Sequence, residues 1–127
     1  YQDYTVKAKV SEGPALAAPV FTAFGVACSE ASLTASSDAA SIGAGTSGTT
    51  VAIPGTPKYV TGITFGMSTG NTVGRVAITY SATNITALTG STNVLAYLLT
   101  CQTGGGTTVA IDTGATTTLL SKYRPST

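Results

Sequence analysis

The chain opens with a segment in which apolar and polar residues alternate. Thr and Lys separate four side chains that would share one face of an extended segment: Tyr4, Val6, Ala8 and Val10. A period of two is typical of a β-strand with one buried face, so we predict a strand over residues 3–10. Gly13-Pro14 follows directly, and such a pair interrupts regular structure.

Short apolar segments recur along the rest of the chain at intervals of about ten residues. Turn residues such as Pro54-Gly55 and Gly70-Asn71 separate them, and the segments are rich in Thr, Val, Ile and Tyr, which suit a pleated surface. The sequence predicts seven further strands, over residues 18–27, 49–53, 57–67, 72–82, 93–101, 107–112 and 115–121.

No segment of useful length shows the apolar stripe of an amphipathic helix. The nearest candidate, residues 29–42, has Leu33 as its single large apolar residue before Ile42. The fold is therefore predicted to be all-β, a sandwich of about seven or eight strands with jelly-roll or immunoglobulin-like topology. We assign residues 1–13 to an extending N-terminal strand or arm and residues 14–127 to the sandwich body.

The low content of charged residues limits the classes of partner that we expect for the protein. Charged residues make up 9% of the chain, against about 25% in typical soluble domains, and the net charge is +1. No basic patch is present that would neutralise a run of phosphates, so nucleic acid is not an expected partner. Residues 15–28 form the longest apolar stretch, but it contains a proline and is too short to span a membrane. The low charge instead suits a subunit that buries much of its surface against copies of itself.

Cys28 and Cys101 lie far apart in the sequence and have no histidine near them that would suggest a metal site. We predict that they form a disulfide in a secreted protein; the alternative is a pair of buried free thiols in a reducing compartment. The chain begins with Tyr instead of Met, which a cleaved signal peptide would explain, so an extracellular or cell-surface location is expected. Asn84 begins an Asn-Ile-Thr triplet and is a candidate glycosylation site.

The residue types argue against catalysis. The chain has no histidine, which rules out Ser-His-Asp and Cys-His arrangements as well as histidine-based metal sites. Its five acidic residues never form a close pair in the sequence, and no Asp-x-Asp pattern supports calcium binding. We therefore predict that the protein is not an enzyme and has no active site, cofactor or bound metal.

The break at Gly13-Pro14 raises the question of where the first strand pairs. Three arrangements compete: pairing within its own domain, addition to a sheet of a neighbouring copy, or an arm ordered by contacts in a shell. Residues 14–19 begin and end with proline and carry no hairpin signal, so they favour an extended connector and an arm. Head-to-tail exchange of such arms gives an open filament when the rotation between copies does not close.

Taken together, the alternating segment YTVKAKV, the break at Gly13-Pro14, the Thr/Ala/Gly-rich body and the distant cysteine pair resemble extracellular filament subunits assembled by donor-strand complementation. These include bacterial biofilm-fibre proteins and archaeal bundling pili and threads. The resemblance implies a helical homopolymer of identical subunits and assigns the donor role to four side chains: Tyr4, Val6, Ala8 and Val10. Type IV pilins differ by a long apolar N-terminal helix, which the sequence pattern does not indicate.

The function predicted from the sequence is that of a structural subunit of an extracellular filament, a pilus or fibre, that serves adhesion or biofilm formation. The first alternative is a viral capsid or decoration protein with a β-sandwich body and an extending arm. A further alternative is a carbohydrate-binding or adhesion module, which would use exposed tyrosines on one face of the molecule.

Overall fold

The computed structural model describes residues 2–104 and 106–125, and within them it contains an N-terminal pair of helices followed by one antiparallel sheet. The helices are α1 (Gln2–Val10) and α2 (Glu12–Ser29). The strands are β1 (Val60–Thr69), β2 (Val73–Tyr80), β3 (Val94–Cys101) and β4 (Thr107–Ile111), and a short 3-10 helix follows at Ser121–Tyr123. The protein therefore has an α+β fold, and the prediction of an all-β sandwich is wrong.

Helices α1 and α2 form a nearly continuous rod, because only Ser11 separates them. The residues of the rod that face the protein recur every three or four positions, the period of a helix with one buried side. They are Val6, Val10, Gly13, Ala17, Val20, Phe24 and Ala27. The strands predicted over residues 3–10 and 18–27 are therefore wrong, since both ranges are helical and the two buried side chains of α1 lie one helical turn apart.

Neither of the prolines in the rod stops the helix. Pro14 lies in the first turn of α2, and the carbonyl that it leaves without a helical donor is that of Val10 in α1, which receives a hydrogen bond from Tyr80. Pro19 lies in the interior of α2 on its exposed side, and the carbonyl that it leaves without a donor belongs to Ala15, which is also exposed. Water can therefore satisfy that carbonyl.

The sheet is a meander in which each strand is antiparallel to the next, in the order β1-β2-β3-β4. These strands confirm the segments predicted over residues 57–67, 72–82, 93–101 and 107–112, with ends that differ by up to three residues. The alternation is clearest in β2, where every second side chain is buried. Those buried side chains lie on the face that packs against α2.

Two further predicted strands are not strands of the sheet. Residues 49–53 run beside the edge of β1 and touch it through an isolated bridge between Thr50 and Thr64. Residues 115–121 form a loop across the start of β3, where the carbonyl of Val94 accepts the N–H groups of residues 118 and 119. Both segments therefore cover parts of the sheet without extending it.

The core lies between α2 and the inner face of the sheet. Phe24 of α2 meets Phe65 of β1 edge to face, with ring centroids 5.9 Å apart. Gly74 of β2 makes this possible, because a Cβ there would lie 2.6 Å from Cε1 of Phe65. Other fully buried side chains of this layer are Val20, Ile63, Val76, Ile78, Leu95 and Leu99.

A disulfide joins the last turn of α2 to the end of β3. It links Cys28 and Cys101, whose Cα atoms lie 5.7 Å apart, within the usual range for a disulfide. The structure thus contains the disulfide predicted from the sequence, and the alternative of two free thiols does not apply. Disulfides persist in oxidising compartments, so the protein is suited to such an environment.

Candidate assembly surface

Helix α2 turns an uncharged face away from the sheet. Apart from Ser29 at its last position, the exposed side chains of α2 form one line along the helix: Ala15, Ala18, Pro19, Thr22 and Val26. No charged residue occurs between Glu12 and Glu30, so the whole outer surface of α2 lacks charge. A helix that covers a soluble protein normally carries charged and polar residues on its outer face. We call the five exposed residues the outer stripe.

Four of the five side chains in the outer stripe are small or compact, and the largest, Val26, is 50% exposed. Helices approach one another to about 8–10 Å, and small side chains at the contact permit the shorter distances. The outer stripe therefore has the shape of a helix-packing surface, in contrast to the inner face, which uses Val20 and Phe24 to reach the sheet.

Helix α1 presents a different surface, because Asp3, Lys7 and Lys9 give it charge. The side chains predicted to act together as a donor strand do not share a face. Val6 and Val10 are buried in the chain's own core, whereas Tyr4 is 78% exposed and Ala8 is exposed. An insertion of all four into one groove, as predicted, would require α1 to unfold and leave the core.

The joint between α1 and α2 is fixed by a tyrosine of the sheet. The hydroxyl of Tyr80 donates a hydrogen bond of 2.7 Å to the carbonyl of Val10. In a regular helix the N–H of residue 14 would serve this carbonyl, but Pro14 has none. Tyr80 therefore supplies a donor that the sequence of the helix lacks.

The close approach of Tyr80 depends on Gly13. A Cβ at position 13 would lie 2.7 Å from Cζ of Tyr80 and 2.9 Å from Cγ2 of Ile78, so any larger residue would push the ring away. Burial, together with the negative charges of ionised Tyr97 and of Glu12, raises the pKa of the Tyr80 hydroxyl above its usual value. The hydroxyl stays protonated at neutral pH and remains a donor.

A second polar contact lies near the same joint. The carboxylate of Glu12 accepts the backbone N–H of Tyr59 at 3.2 Å. The ammonium groups of Lys9 and Lys58 each lie over the ring of Tyr59, at 5.6 and 5.5 Å from its centroid. These contacts tie the start of α2 to the segment that leads into β1.

The C-terminal end of α2 is closed by a Schellman motif. The N–H groups of Ala31 and Ser32 bond to the carbonyls of Cys28 and Ala27, at 3.1 and 3.0 Å. Ala31 occupies the left-handed position of this motif, with φ 54°, which glycine usually takes. Because Cys28 also forms the disulfide, this end of α2 is held by both main-chain and covalent bonds.

Other candidate sites from the sequence lie in structural positions. Asn84 donates a hydrogen bond of 2.7 Å to the carbonyl of Lys58, and the central residue of its triplet, Ile85, is fully buried. Glycosylation of Asn84 stays a prediction, but the folded chain already uses this amide. In the part of the chain that the structure describes, Tyr80, Tyr97 and Tyr123 are buried, so no face collects exposed tyrosines.

Among residues 2–104 and 106–125, no three His, Cys, Asp or Glu side chains lie close enough together to hold a metal ion. By length and composition alone, the run Gln2–Ser29 is one helix that is long and apolar enough to cross a membrane. Core helices and signal sequences pass the same test. The prediction that the chain has no membrane-spanning segment stays a prediction.

Comparison of the chain with protein-family models, with curated proteins and with solved structures finds no match.

Proposed function

We propose that the protein is a structural subunit of an extracellular filament and that its subunits pack through the outer stripe of α2. The observation that supports this proposal is the absence of charge along the whole exposed side of α2, between Glu12 and Glu30. Burial of apolar surface stabilises association by about 25 cal/mol per Å², and the small side chains of the stripe let a neighbouring helix come close.

Packing between helices replaces the donor-strand mode inferred from the sequence, because residues 3–10 lie in α1. Type IV pilins have a long apolar N-terminal helix, and by length and composition the run Gln2–Ser29 is also such a helix. Filament subunits with an N-terminal helix of this kind are therefore the better analogy. This analogy is one of architecture alone and adds no residue roles.

An extracellular location belongs to the same proposal. The disulfide between Cys28 and Cys101 suits an oxidising compartment, and the low content of charged residues suits a surface that is covered by identical copies. The two alternatives have less support. A capsid protein was predicted from a β-sandwich, but the described residues form a single four-stranded sheet. A sugar-binding module was predicted from exposed tyrosines, and the described tyrosines do not collect on one exposed face.

The proposal is tested by electron microscopy of filaments from cells that express the full natural protein. Ala18→Arg places a charge in the middle of the outer stripe without disturbing the core, and we expect it to abolish filaments. Thr56→Arg is the matched control, because it adds the same charge to an exposed loop residue. Filaments that form equally well from the wild type and from Ala18→Arg would refute the helix-packing surface, and a wild type that never forms filaments would refute the function.

A further inference from the structure

Within the described residues, three large hydrophobic side chains are exposed: Tyr4, Val26 and Leu120. Scattered exposure of this kind is common at protein surfaces and carries little information by itself. Val26 and Leu120 differ from the usual case. Val26 lines a groove that also contains Glu30, and Leu120 projects from the surface near Lys122.

Val26 lines a groove at the C-terminal end of α2. The groove has a volume of about 240 Å³ and lies between α2 and the segment that contains Ser41 and Ile42. Its apolar lining residues are Ala23, Val26, Ala27 and Ile42, and its polar lining residues are Glu30, Ser32 and Ser41. In the part of the chain that the structure describes, no cation lies within salt-bridge distance of Glu30.

Leu120 projects from the opposite end of the molecule. Its side chain is 46% exposed, although the preceding residue, Leu119, is fully buried and bonds to the carbonyl of Val94. Lys122 lies two residues further on and is 54% exposed. This end of the chain therefore presents an apolar knob beside a cation.

The knob and the groove lie at opposite ends of the sheet. Leu120 is next to Val94, the first residue of β3, and the groove is next to Cys28, which is bonded to Cys101 at the last residue of β3. A strand of this length spans about 23 Å at 3.3 Å per residue. The two surfaces therefore cannot meet within one chain, but they can meet between two copies related mainly by a translation.

We propose that successive subunits contact head to tail, with Leu120 of one copy in the groove beside Val26 and Ile42 of the next and with Lys122 facing Glu30. This inference rests on the proposed filament function and names a second, lengthwise contact for it. The contact is heterologous, because two different surfaces meet, and a heterologous contact that does not close generates an open filament. The charges complement each other, which also fixes the direction of the contact.

Lys122 has an internal partner, but the pair leaves it available. Its ammonium nitrogen lies 3.9 Å from a carboxylate oxygen of Asp3, and both side chains are more than half exposed. Exposed pairs of this kind contribute little to stability. Since an ammonium group has three donors, Lys122 can bond to Glu30 of a second copy without leaving Asp3.

The first test is carbodiimide coupling, which joins a carboxylate directly to an amine only when the two groups touch. An equal mixture of unlabelled and ¹⁵N-labelled protein is coupled, both as filaments and as concentrated protein in solution, and the linked peptides are identified by mass spectrometry. We expect a link between Glu30 and Lys122 in which the two peptides carry different labels. The link between Asp3 and Lys122, which join within one chain, is the internal control.

The second test is a charge exchange. Lys122→Glu and Glu30→Lys are each expected to lower filament yield at least tenfold, and the double exchange is expected to restore it. Lys58→Glu is the matched control, because Lys58 is exposed and lies at neither surface. The thermal unfolding of the monomers is measured in parallel, so that a variant that fails to fold is recognised.

The outcomes separate this contact from the filament proposal itself. Filaments without a mixed-label link between Glu30 and Lys122, or filaments that both single charge reversals leave intact, would refute the lengthwise contact and keep the function. A wild type without filaments would refute the function, and the coupling of the concentrated protein would then decide whether the contact exists at all.

Discussion

The hydrogen bond between Tyr80 and Val10 gives a prediction that can be worked through in detail. Tyr80→Phe removes the hydroxyl and keeps the ring, so the core stays filled, but the buried carbonyl of Val10 loses its bond. A buried polar group left without a partner costs about 1–3 kcal/mol. We expect Tyr80→Phe to lower the free energy of unfolding by this amount.

The reason for the cost can be tested with a second substitution. Pro14→Ala restores the N–H that a helix would use at this place, and that N–H can bond to the carbonyl of Val10. In the Pro14→Ala background we therefore expect Tyr80→Phe to cost less than about 1 kcal/mol. The difference between the two backgrounds is the interaction energy of a double-mutant cycle, and we expect most of the cost of Tyr80→Phe to appear in it.

The measurement is urea unfolding of the four proteins, followed by far-ultraviolet circular dichroism with the disulfide intact. Tyr97→Phe is a matched control, since it also removes a hydroxyl from a buried tyrosine, and no hydrogen bond from that hydroxyl is found among the described residues. Equal costs of Tyr80→Phe with proline and with alanine at position 14 would refute the role given to the missing N–H.

Three further predictions concern the same scaffold. Because its folded-state pKa is raised, Tyr80 contributes stability below the unfolded pKa of about 10 and loses it above that value. Alkaline unfolding curves should therefore fall more steeply above about pH 10 for the wild type than for Tyr80→Phe. Ala31→Gly should raise the free energy of unfolding by about 0.5–1 kcal/mol in urea, because it relieves the left-handed strain at φ 54° for a smaller loss of chain entropy. Replacing Cys28 and Cys101 together by serine should lower it by about 4.5 kcal/mol, the chain-entropy value for a separation of 73 residues, and a loss below 1 kcal/mol would contradict that account.

The strands of the sheet could be predicted from the sequence because their side chains alternate cleanly. In β2, Val76, Ile78 and Tyr80 all face the core, and the residues between them are half-buried. The buried positions of β2 also carry β-branched and aromatic side chains, which favour a strand. The glycines at positions 70 and 104 also mark where these strands end, so their bounds were predicted to within three residues.

The helices were missed for a physical reason. Val6 and Val10 fit both a period of two and a period of four, so the first ten residues alone do not distinguish a strand from a helix. The signal that does so is the alternation of three-residue and four-residue steps from Val6 to Ala27, and it runs through Gly13-Pro14. The interpretation of Gly13-Pro14 as a break divided this series of steps into two parts. Neither part alone showed clearly that three-residue and four-residue steps alternate.

The candidate surfaces could not be predicted from the sequence, for a related reason. Four of the five residues in the outer stripe are Ala, Pro or Thr, which are not strongly apolar, and the five form one surface only once α2 is known to be a helix. The knob at Leu120 and the groove at Val26 involve residues 94 positions apart, counted along the sequence, which only the folded sheet places at its two ends. The order of apolar and polar residues indicates the secondary structure of a local segment. It does not indicate which ends of distant helices and strands lie together.

The two ends of α2 are tied to the sheet by different means, and the difference bears on the proposed function. At the start of α2, Tyr80 from the last residue of β2 holds the joint with α1. At its end, the bond between Cys28 and Cys101 holds α2 to the last residue of β3. A force applied through the outer stripe therefore reaches two neighbouring antiparallel strands at opposite ends of the sheet. Separation of α2 from the sheet therefore requires either that the disulfide break or that the buried carbonyl of Val10 lose its hydrogen bond. A filament subunit under tension would need such attachments at both ends of the helix.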